Sequence, residues 1–165
     1  MRNATRWNGC TNVMATAIAA LLFTGLANAG ECPADKRVSD GQGQKMMTYA
    51  PKGVTDVVRA TTDLSREPAK IAGRQFRLRQ LDVEAGGIVP WHSHENRPAM
   101  IYVVSGEIVE YASNCSVPIV HKAGDIAPER AGVSHWWENK SDTKAVLISV
   151  DLLPVEAMKN EQHMM

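Results

Sequence analysis

The chain has 165 residues, enough for one domain with its own hydrophobic core, and its 18 basic and 18 acidic residues cancel at pH 7. This balance, without a domain-wide basic patch, argues against a nucleic-acid partner. The sequence contains no P-loop, no G-x-S-x-G motif and no Cys-rich zinc pattern.

The first 29 residues have the pattern of an export signal. Arg2 and Arg6 precede an uncharged apolar run over 13–26, and residues 27–29 read Ala-Asn-Ala, a small-x-small cleavage site. The apolar run is shorter than the ~20 residues that a membrane-spanning helix needs. We therefore expect cleavage ahead of Gly30, a periplasmic or secreted protein, and no membrane attachment after cleavage. An uncleaved membrane anchor is the alternative.

Cleavage would change the cysteine count. It would remove Cys10 and leave Cys32 and Cys115 in a compartment that permits disulfides. The even count favours a bridge between them, which would tie a polar N-terminal extension (30–53) to the following domain. Closing so long a loop is worth roughly 4–5 kcal/mol in the chain-entropy model. A free, reactive Cys115 thiol is the alternative.

Residues 54–153 are interpreted as one domain of short strands separated by turns. The predicted strands cover residues 54–60, 74–83, 100–105, 107–112, 117–121, 125–127, 134–138 and 145–152. So many short strands with little helical periodicity predict an all-β sandwich or barrel. Residues 154–165 are a C-terminal tail, with a short helix predicted over 155–159.

Some charged residues of this domain are expected at its surface. Arg74, Arg77 and Arg79 alternate with apolar residues, which is typical of the solvated face of a strand. His121 precedes a turn and is also expected to be exposed.

The pair His92-Ser93-His94 is the most informative feature of the domain. Alternate side chains of an extended strand share one face, so the two imidazoles can reach a common point. His135 can add a third imidazole from a later strand. Three imidazoles leave coordination positions open for water or substrate, so the sequence predicts a mononuclear metal site at His92, His94 and His135. Histidines that merely pack in the core are the alternative.

Glycines frame these histidines in a pattern that resembles the cupin superfamily. The family motifs are G-x5-H-x-H-x3,4-E-x6-G and G-x5-P-x-G-x2-H-x3-N. The matching positions are Gly86, His92, His94 and Gly106 in the first motif, and Gly124, Gly132, His135 and Asn139 in the second. The resemblance covers residues 70–152 and implies the double-stranded β-helix, or jelly-roll, barrel of cupins. Asn139 is expected to orient the backbone near His135 rather than to bind metal.

Two positions depart from the family pattern. Ala99 stands where the family places its Glu, and Arg130 replaces the Pro of the second motif. The resemblance then implies three neutral imidazoles as the protein ligands, because Glu95 would point away from His94 in a regular strand. Thiol dioxygenases and a diketone-cleaving dioxygenase are cupin relatives that use three His around Fe(II). The identity of the divalent ion (Fe, Zn, Mn, Ni or Cu) stays open.

Two functions are compatible with this site. One is a metal-dependent dioxygenase or other oxidoreductase acting on a small organic molecule, and the other is a non-catalytic metal or small-ligand binder. No acid near the motif is an obvious general base, which disfavours hydrolase and epimerase chemistry. Arg97, as a clamp for an anion, and Trp136, at the pocket mouth, are the candidate substrate contacts. Whether the protein is a homodimer is left open.

Overall fold

The computed structural model describes residues 30–47 and 50–156. The predicted export signal and most of the predicted C-terminal helix lie outside these residues. The described part contains a short 3-10 helix, Ala34–Lys36, and eight strands: β1 Lys52–Asp63, β2 Arg74–Ser93, β3 Ala99–Ser105, β4 Glu107–Ala112, β5 Ile119–Lys122, β6 Ile126–Glu129, β7 Ser134–Glu138 and β8 Ala145–Pro154. Within it, no helix has the length and apolar character to span a bilayer.

The strands form a single antiparallel sheet that curls into a nearly closed barrel. Their order is β5-β4-β7-β2-β8-β3-β6, with β1 paired to β2 outside this path. Neighbours in space are mostly distant in sequence, as in a jelly roll. The predicted all-β jelly-roll class is therefore confirmed.

Strand β2 joins the two halves of the barrel. Residues 74–83 pair with β8 and, over most of their length, with β1, whereas residues 88–93 pair with β7. Between them Gly86 has φ +69°, and a Cβ on Gly87 would lie 2.7 Å from the Glu84 carbonyl oxygen, so this bend favours glycine. The sequence-based strand stopped at Val83 because the bend interrupts the pattern, although the strand continues to Ser93.

The core consists of alternate residues of the strands. Every second residue of β8 is buried, and so are Ala99, Ile101 and Val103 of β3. The main buried cluster comprises Leu81, Val83, Ile101, Val103, Ile108, Ala127, Trp137, Ala145 and Leu147. Of these, Leu81, Ile101, Trp137 and Leu147 also line a cavity, which therefore opens onto the core.

The N-terminal extension is fastened to the end of β4. The amide of Val38 donates to the Asn114 carbonyl at 3.0 Å, and that of Gly43 to the Ser113 carbonyl at 2.7 Å. A disulfide joins Cys32 to Cys115, with 5.8 Å between their Cα atoms. The predicted bridge is therefore confirmed, and the alternative of a free Cys115 thiol is wrong.

The prediction of a solvated arginine face on β2 is wrong. Arg77 is buried and makes two hydrogen bonds to Asp151, from Nε to Oδ1 at 3.0 Å and from Nη2 to Oδ2 at 2.8 Å. Phe76, by contrast, is 47 % exposed. The alternation of side chains between the two faces of the strand was predicted correctly. The arginines lie on the inward face, however, because Asp151 of β8 supplies a buried counter-charge.

The prediction that His121 is exposed is also wrong. Its side chain is completely buried, and its Nε2 lies 2.8 Å from Glu110 Oε2. Position 121 on β5 shares its inward orientation with the buried Ile119, two residues earlier.

Candidate metal centre

Four side chains from three strands and one loop converge inside the barrel. His92 lies near the end of β2, His94 just beyond it, His135 on β7 and Glu129 at the end of β6. One nitrogen or oxygen atom from each lies within 4.8 Å of all the others. The β2–β7 register sets His92 directly opposite His135. The structure thus brings the three predicted histidines together and adds a carboxylate.

Each imidazole has its Nδ1 against an oxygen acceptor. Nδ1 of His92 lies 2.8 Å from the Pro90 carbonyl, and Nδ1 of His94 lies 2.8 Å from the Arg97 carbonyl. Nδ1 of His135 lies 2.5 Å from Glu110 Oε1. Because these oxygens only accept, Nδ1 carries the proton in all three rings and Nε2 is directed at the centre of the cluster.

The atoms at the centre of the cluster are close to one another. Nε2 of His92 lies 3.1 Å from Nε2 of His135, and Glu129 lies 3.1 Å from His94 Nε2 and 3.2 Å from His135 Nε2. With the His94 proton on Nδ1, its buried Nε2 and the Glu129 carboxylate are both acceptors, so this contact is not a hydrogen bond, and Nε2 has no other partner among the described residues. Lone pairs that face each other this closely need a proton or a cation between them. Three imidazole nitrogens and one carboxylate oxygen are a donor set that fits a divalent metal ion.

The pKa of His135 is shifted in the opposite direction from the pKa values of the other two histidines. Burial lowers the pKa of His92 well below its ordinary value and also lowers the pKa of His94. Burial alone would lower the pKa of His135 as well, but Glu110 and Glu129 outweigh it and raise that pKa to about 10. Without an ion, His135 therefore carries the proton, and an ion would take the place of that proton.

Glu110 holds the outer side of this cluster. It is buried and touches both His135 and His121. Burial would raise its pKa, but the two histidines lower it to about 2, so the carboxylate is ionised. A carboxylate that accepts from the far nitrogen of a metal-binding imidazole fixes the ring and makes it a stronger ligand.

Glu129 was missed by the sequence-based ligand set. It lies directly opposite Ala99 in the β3–β6 register, so the carboxylate comes from the neighbouring strand beside the position where the cupin motif has it. The predicted strand ended at Ala127. Two more residues would have included Glu129, whose side chain points to the same inward face as that of Ala127. Glu95, as expected, stays out of the cluster, and its carboxylate accepts from the Gly132 amide at 2.9 Å.

A cavity of about 260 Å³ lies beside the cluster, and both His92 and Glu129 line it. Arg97 also lines it and donates from Nη1 to Asp151 at 3.1 Å, while Arg79 lines it and pairs with Asp56. The position of Arg97 is therefore compatible with its predicted role as an anion contact.

Trp136 lies outside this cavity. Its ring stacks on Tyr111 with 4.0 Å between centroids, and its Nε1 donates to the Lys45 carbonyl at 3.2 Å. Trp137 lines the cavity instead, with Nε1 3.5 Å from His135 Nε2. The reason is strand parity: His135 and Trp137 share the face of β7 that lines the site, and Trp136 between them lies on the opposite face, where it is buried against Tyr111.

Asn139 shapes the backbone next to the site. Its side-chain amide donates to the Val83 carbonyl at 2.9 Å and to the Thr143 carbonyl at 2.7 Å. Its backbone pairs with Gly86 and Gly87 at the bend of β2. Asn139 is therefore placed to hold the β7–β8 connection against β2, in agreement with the role expected for it.

Comparison with known proteins agrees with this geometry. The family model for the cupin domain matches residues 79–151, which contain all four residues of the cluster. The resemblance to cupins is therefore confirmed for this segment of the chain. The chain is 32% identical over 79 residues to auxin-binding protein ABP19b of Prunus persica, across 46% of the chain and 38% of the relative. It thus spans little more than a third of that curated relative.

One solved structure supports the fold. A predicted oxalate decarboxylase from Thermotoga maritima superposes with a TM-score of 0.52 at 19% identity, over 74% of this chain and 98% of that chain. A weaker match is the cupin domain of Cnp3 from Schizosaccharomyces pombe, with a TM-score of 0.49 at 11% identity, over 72% of this chain and 77% of that chain.

Proposed function

We propose that this protein is an exported, metal-dependent oxidoreductase that holds one divalent ion through His92, His94, His135 and Glu129 and oxidises a small organic anion. The observation that carries the proposal is the convergence of three Nε2 atoms and one carboxylate beside a cavity large enough for a small molecule. Four protein ligands leave two positions of an octahedron open. An ion such as Fe(II) would supply a binding place for O₂ and substrate at those positions.

The charge of the cavity supports an anionic substrate. Three guanidinium groups, those of Arg77, Arg79 and Arg97, lie within 4 Å of Asp151, and Arg79 also pairs with Asp56. Arg97 and Arg79 both face the cavity, and a guanidinium suits a carboxylate because its donors match the two oxygens.

Oxidation is favoured over acid–base chemistry by the lining of the cavity. Among the described residues that line it, the acids are Glu129, which belongs to the cluster, and Asp56, which is paired to Arg79. Neither is a free general base of the kind that hydrolysis or epimerisation requires. The disulfide is in keeping with an oxidising, extracytoplasmic compartment.

A non-catalytic binder is the second candidate. It is favoured by the enclosure of the cluster, because His94, Glu129 and His135 are all at most 5% exposed and only His92 is partly accessible. The curated relative is named an auxin-binding protein, which is consistent with a ligand-binding role for the fold.

Oxygen uptake separates the two candidates. Mature protein loaded in turn with Fe(II), Mn(II), Cu(II), Ni(II) and Zn(II) is mixed with thiols, diketones and small mono- and dicarboxylates, and O₂ consumption and products are measured. The enzyme proposal expects turnover with at least one redox-active ion, and none with Zn(II). Tight ligand binding without turnover for every ion would instead establish the binder.

Arg97 tests the substrate class. Arg97→Gln is expected to raise KM for a carboxylate substrate about tenfold or more with a smaller change in kcat, because a charge-assisted contact made before and during the reaction is lost. The matched control is Arg130→Gln, which removes an exposed arginine that does not line this cavity. Equal kinetics for Arg97→Gln and the native protein would remove Arg97 from the substrate site.

A further inference from the structure

The buried His121 has one ring nitrogen whose partner is missing. Its Nε2 lies 2.8 Å from Glu110 Oε2, which only accepts, so Nε2 carries the proton and Nδ1 presents a lone pair. That Nδ1 is buried and has no hydrogen-bond partner among the described residues. Buried acceptors of this kind are normally satisfied, so a donor is expected next to it.

Gly30 is the residue in front of this nitrogen. It is buried, and a Cβ built on it would lie 3.0 Å from His121 Nδ1, 3.2 Å from Asp125 Cβ and 3.5 Å from the Ile126 carbonyl oxygen. The location is fixed covalently, because Cys32, two residues later, is bonded to Cys115. Gly30 is also the first residue after the predicted Ala-Asn-Ala cleavage site.

Cleavage ahead of Gly30 would change what this residue can donate. The amino nitrogen and a Cβ occupy neighbouring tetrahedral positions on Cα, related by about a third of a turn around the Cα–C bond. Once no residue precedes Gly30, that rotation is free and brings the new amino nitrogen to the Cβ position. The nitrogen would then lie about 3 Å from His121 Nδ1, which is a hydrogen-bond distance.

We propose that the α-amino group of Gly30, created by cleavage of the export signal, docks on His121 Nδ1 beside Asp125 and the Ile126 carbonyl. A protonated amine has three donors, His121 Nδ1 and the Ile126 carbonyl oxygen are acceptors within its reach, and the neighbouring Asp125 is acidic. The docked terminus completes a continuous hydrogen-bonded chain through His121 and Glu110 to His135 of the candidate metal centre. Gly30 and His121 are positioning residues in this chain.

The absence of a side chain at position 30 matters for this docking. An added Cβ would lie 3.0 Å from His121 Nδ1 and would occupy the place into which the amino nitrogen turns. A glycine at the mature terminus is therefore suited to leave that place to the amino group.

The test compares two disulfide-bonded proteins that differ by one residue. One begins at Gly30, as exported protein is expected to, and the other begins at Ala29. Both are acetylated with limiting acetic anhydride, and mass spectrometry follows the N-terminal peptide. The docked amine of the Gly30 protein should react at least about tenfold more slowly than that of the Ala29 protein, the difference vanishing in denaturant.

Nitrogen NMR of ¹⁵N-histidine-labelled protein supplies a readout that general stability would not move. The Nδ1 resonance of His121 should differ between the two proteins, as expected when a lone pair gains a donor, while His121→Phe should restore fast acetylation to the Gly30 protein. If His121→Phe does not fold, the comparison between the protein that begins at Gly30 and the one that begins at Ala29 still tests the proposal.

The proposal is overturned if the Gly30 amine reacts as fast as the Ala29 amine, if the His121 Nδ1 resonance is the same in both proteins, or if exported protein begins at another residue. None of these readouts is metal content or turnover, so failure here leaves the proposed function standing.

Discussion

Glu129 provides at the site the carboxylate that position 99 lacks. Ala99 is buried and lies opposite Glu129 in the β3–β6 register, so its small side chain leaves room for the longer one from the facing strand. From the sequence motif alone, Ala99→Glu would be expected to add a fourth ligand and to tighten metal binding. With Glu129 already in place, the structure predicts the reverse.

Ala99→Glu is therefore expected to weaken metal binding by about tenfold or more, because it sets a second buried carboxylate beside Glu129 and overpacks the core. Ala99→Gln has nearly the same volume without the charge and should be milder. Metal affinity from competition with a chelator checks both variants. Tighter binding in Ala99→Glu would mean that Glu129 is not a ligand.

Glu110 would act on a bound metal ion through His135, whose Nδ1 it contacts. Glu110→Gln is expected to lower metal affinity by roughly 10–100-fold, because the imidazole loses the carboxylate that orients it. The control is Glu107→Gln on the same strand, whose half-exposed carboxylate faces Lys122 instead. Unchanged affinity in Glu110→Gln, measured by the same competition, would remove this carboxylate from the working site.

Metal binding should release close to one proton at neutral pH. Glu110 and Glu129 raise the pKa of His135 to about 10 in the ion-free site, whereas the pKa values of His92 and His94 lie below their ordinary value. Between about pH 7 and pH 9 only His135 must lose a proton, so affinity should rise about tenfold per pH unit and fall as pH is lowered.

Calorimetry in buffers of different ionisation enthalpy counts this proton directly. The expected count is near one for the native protein and smaller for Glu110→Gln, in which the pKa of His135 is less strongly raised. A count of zero at pH 7.5 in the native protein would contradict the assignment of the proton to His135.

At the scale of single elements, local patterns predicted the simplest strands best. The predicted bounds of β4 (Glu107–Ala112) and β7 (Ser134–Glu138) agree with the structure, and the H-x-H parity correctly set His92 and His94 toward one point. Local pattern could not show that β2 continues past its bend at Gly86, since pairing with β7 is a long-range contact.

Polar residues inside the barrel account for the other differences. The side chain of Arg77 points inward because Asp151 of β8 supplies a buried counter-charge. The side chain of His121 points inward because Glu110 of β4 accepts a hydrogen bond from it. The two residues of each pair lie on different strands, so the sequence around either one does not show that they are in contact. Sequence patterning assigns charged residues to the surface by default, and it fails where the buried charge has a buried partner.

The disulfide is the main covalent support of the N-terminal extension. Its two cysteines are separated by 83 residues. The double variant Cys32→Ser, Cys115→Ser is expected to lose about 2–4 kcal/mol of unfolding free energy, less than the full loop-closure value because native strain and residual structure intervene. Chemical denaturation of the mature protein measures this loss. An unchanged midpoint would show that the bridge adds no stability.

At the scale of the whole molecule, the barrel brings distant segments to one place. The candidate metal ligands come from residues 92 to 135. The cavity adds Arg79 and Arg97, and the disulfide holds Gly30 next to His121 behind the site. The motif spacing predicted the fold and three of the four clustered residues. The fourth, Glu129, depended on the register between β3 and β6, which no local pattern contains.

Metal content is the measurement that tests the central claim most directly. Mature protein, reconstituted with a divalent ion and freed of excess, should contain one ion per chain by elemental analysis. His135→Ala and Glu129→Gln should lose most of it, since each removes a donor atom of the cluster. Glu95→Ala, which removes a nearby carboxylate outside the cluster, should keep full occupancy. Full occupancy in His135→Ala, or loss of the ion in Glu95→Ala, would contradict the account.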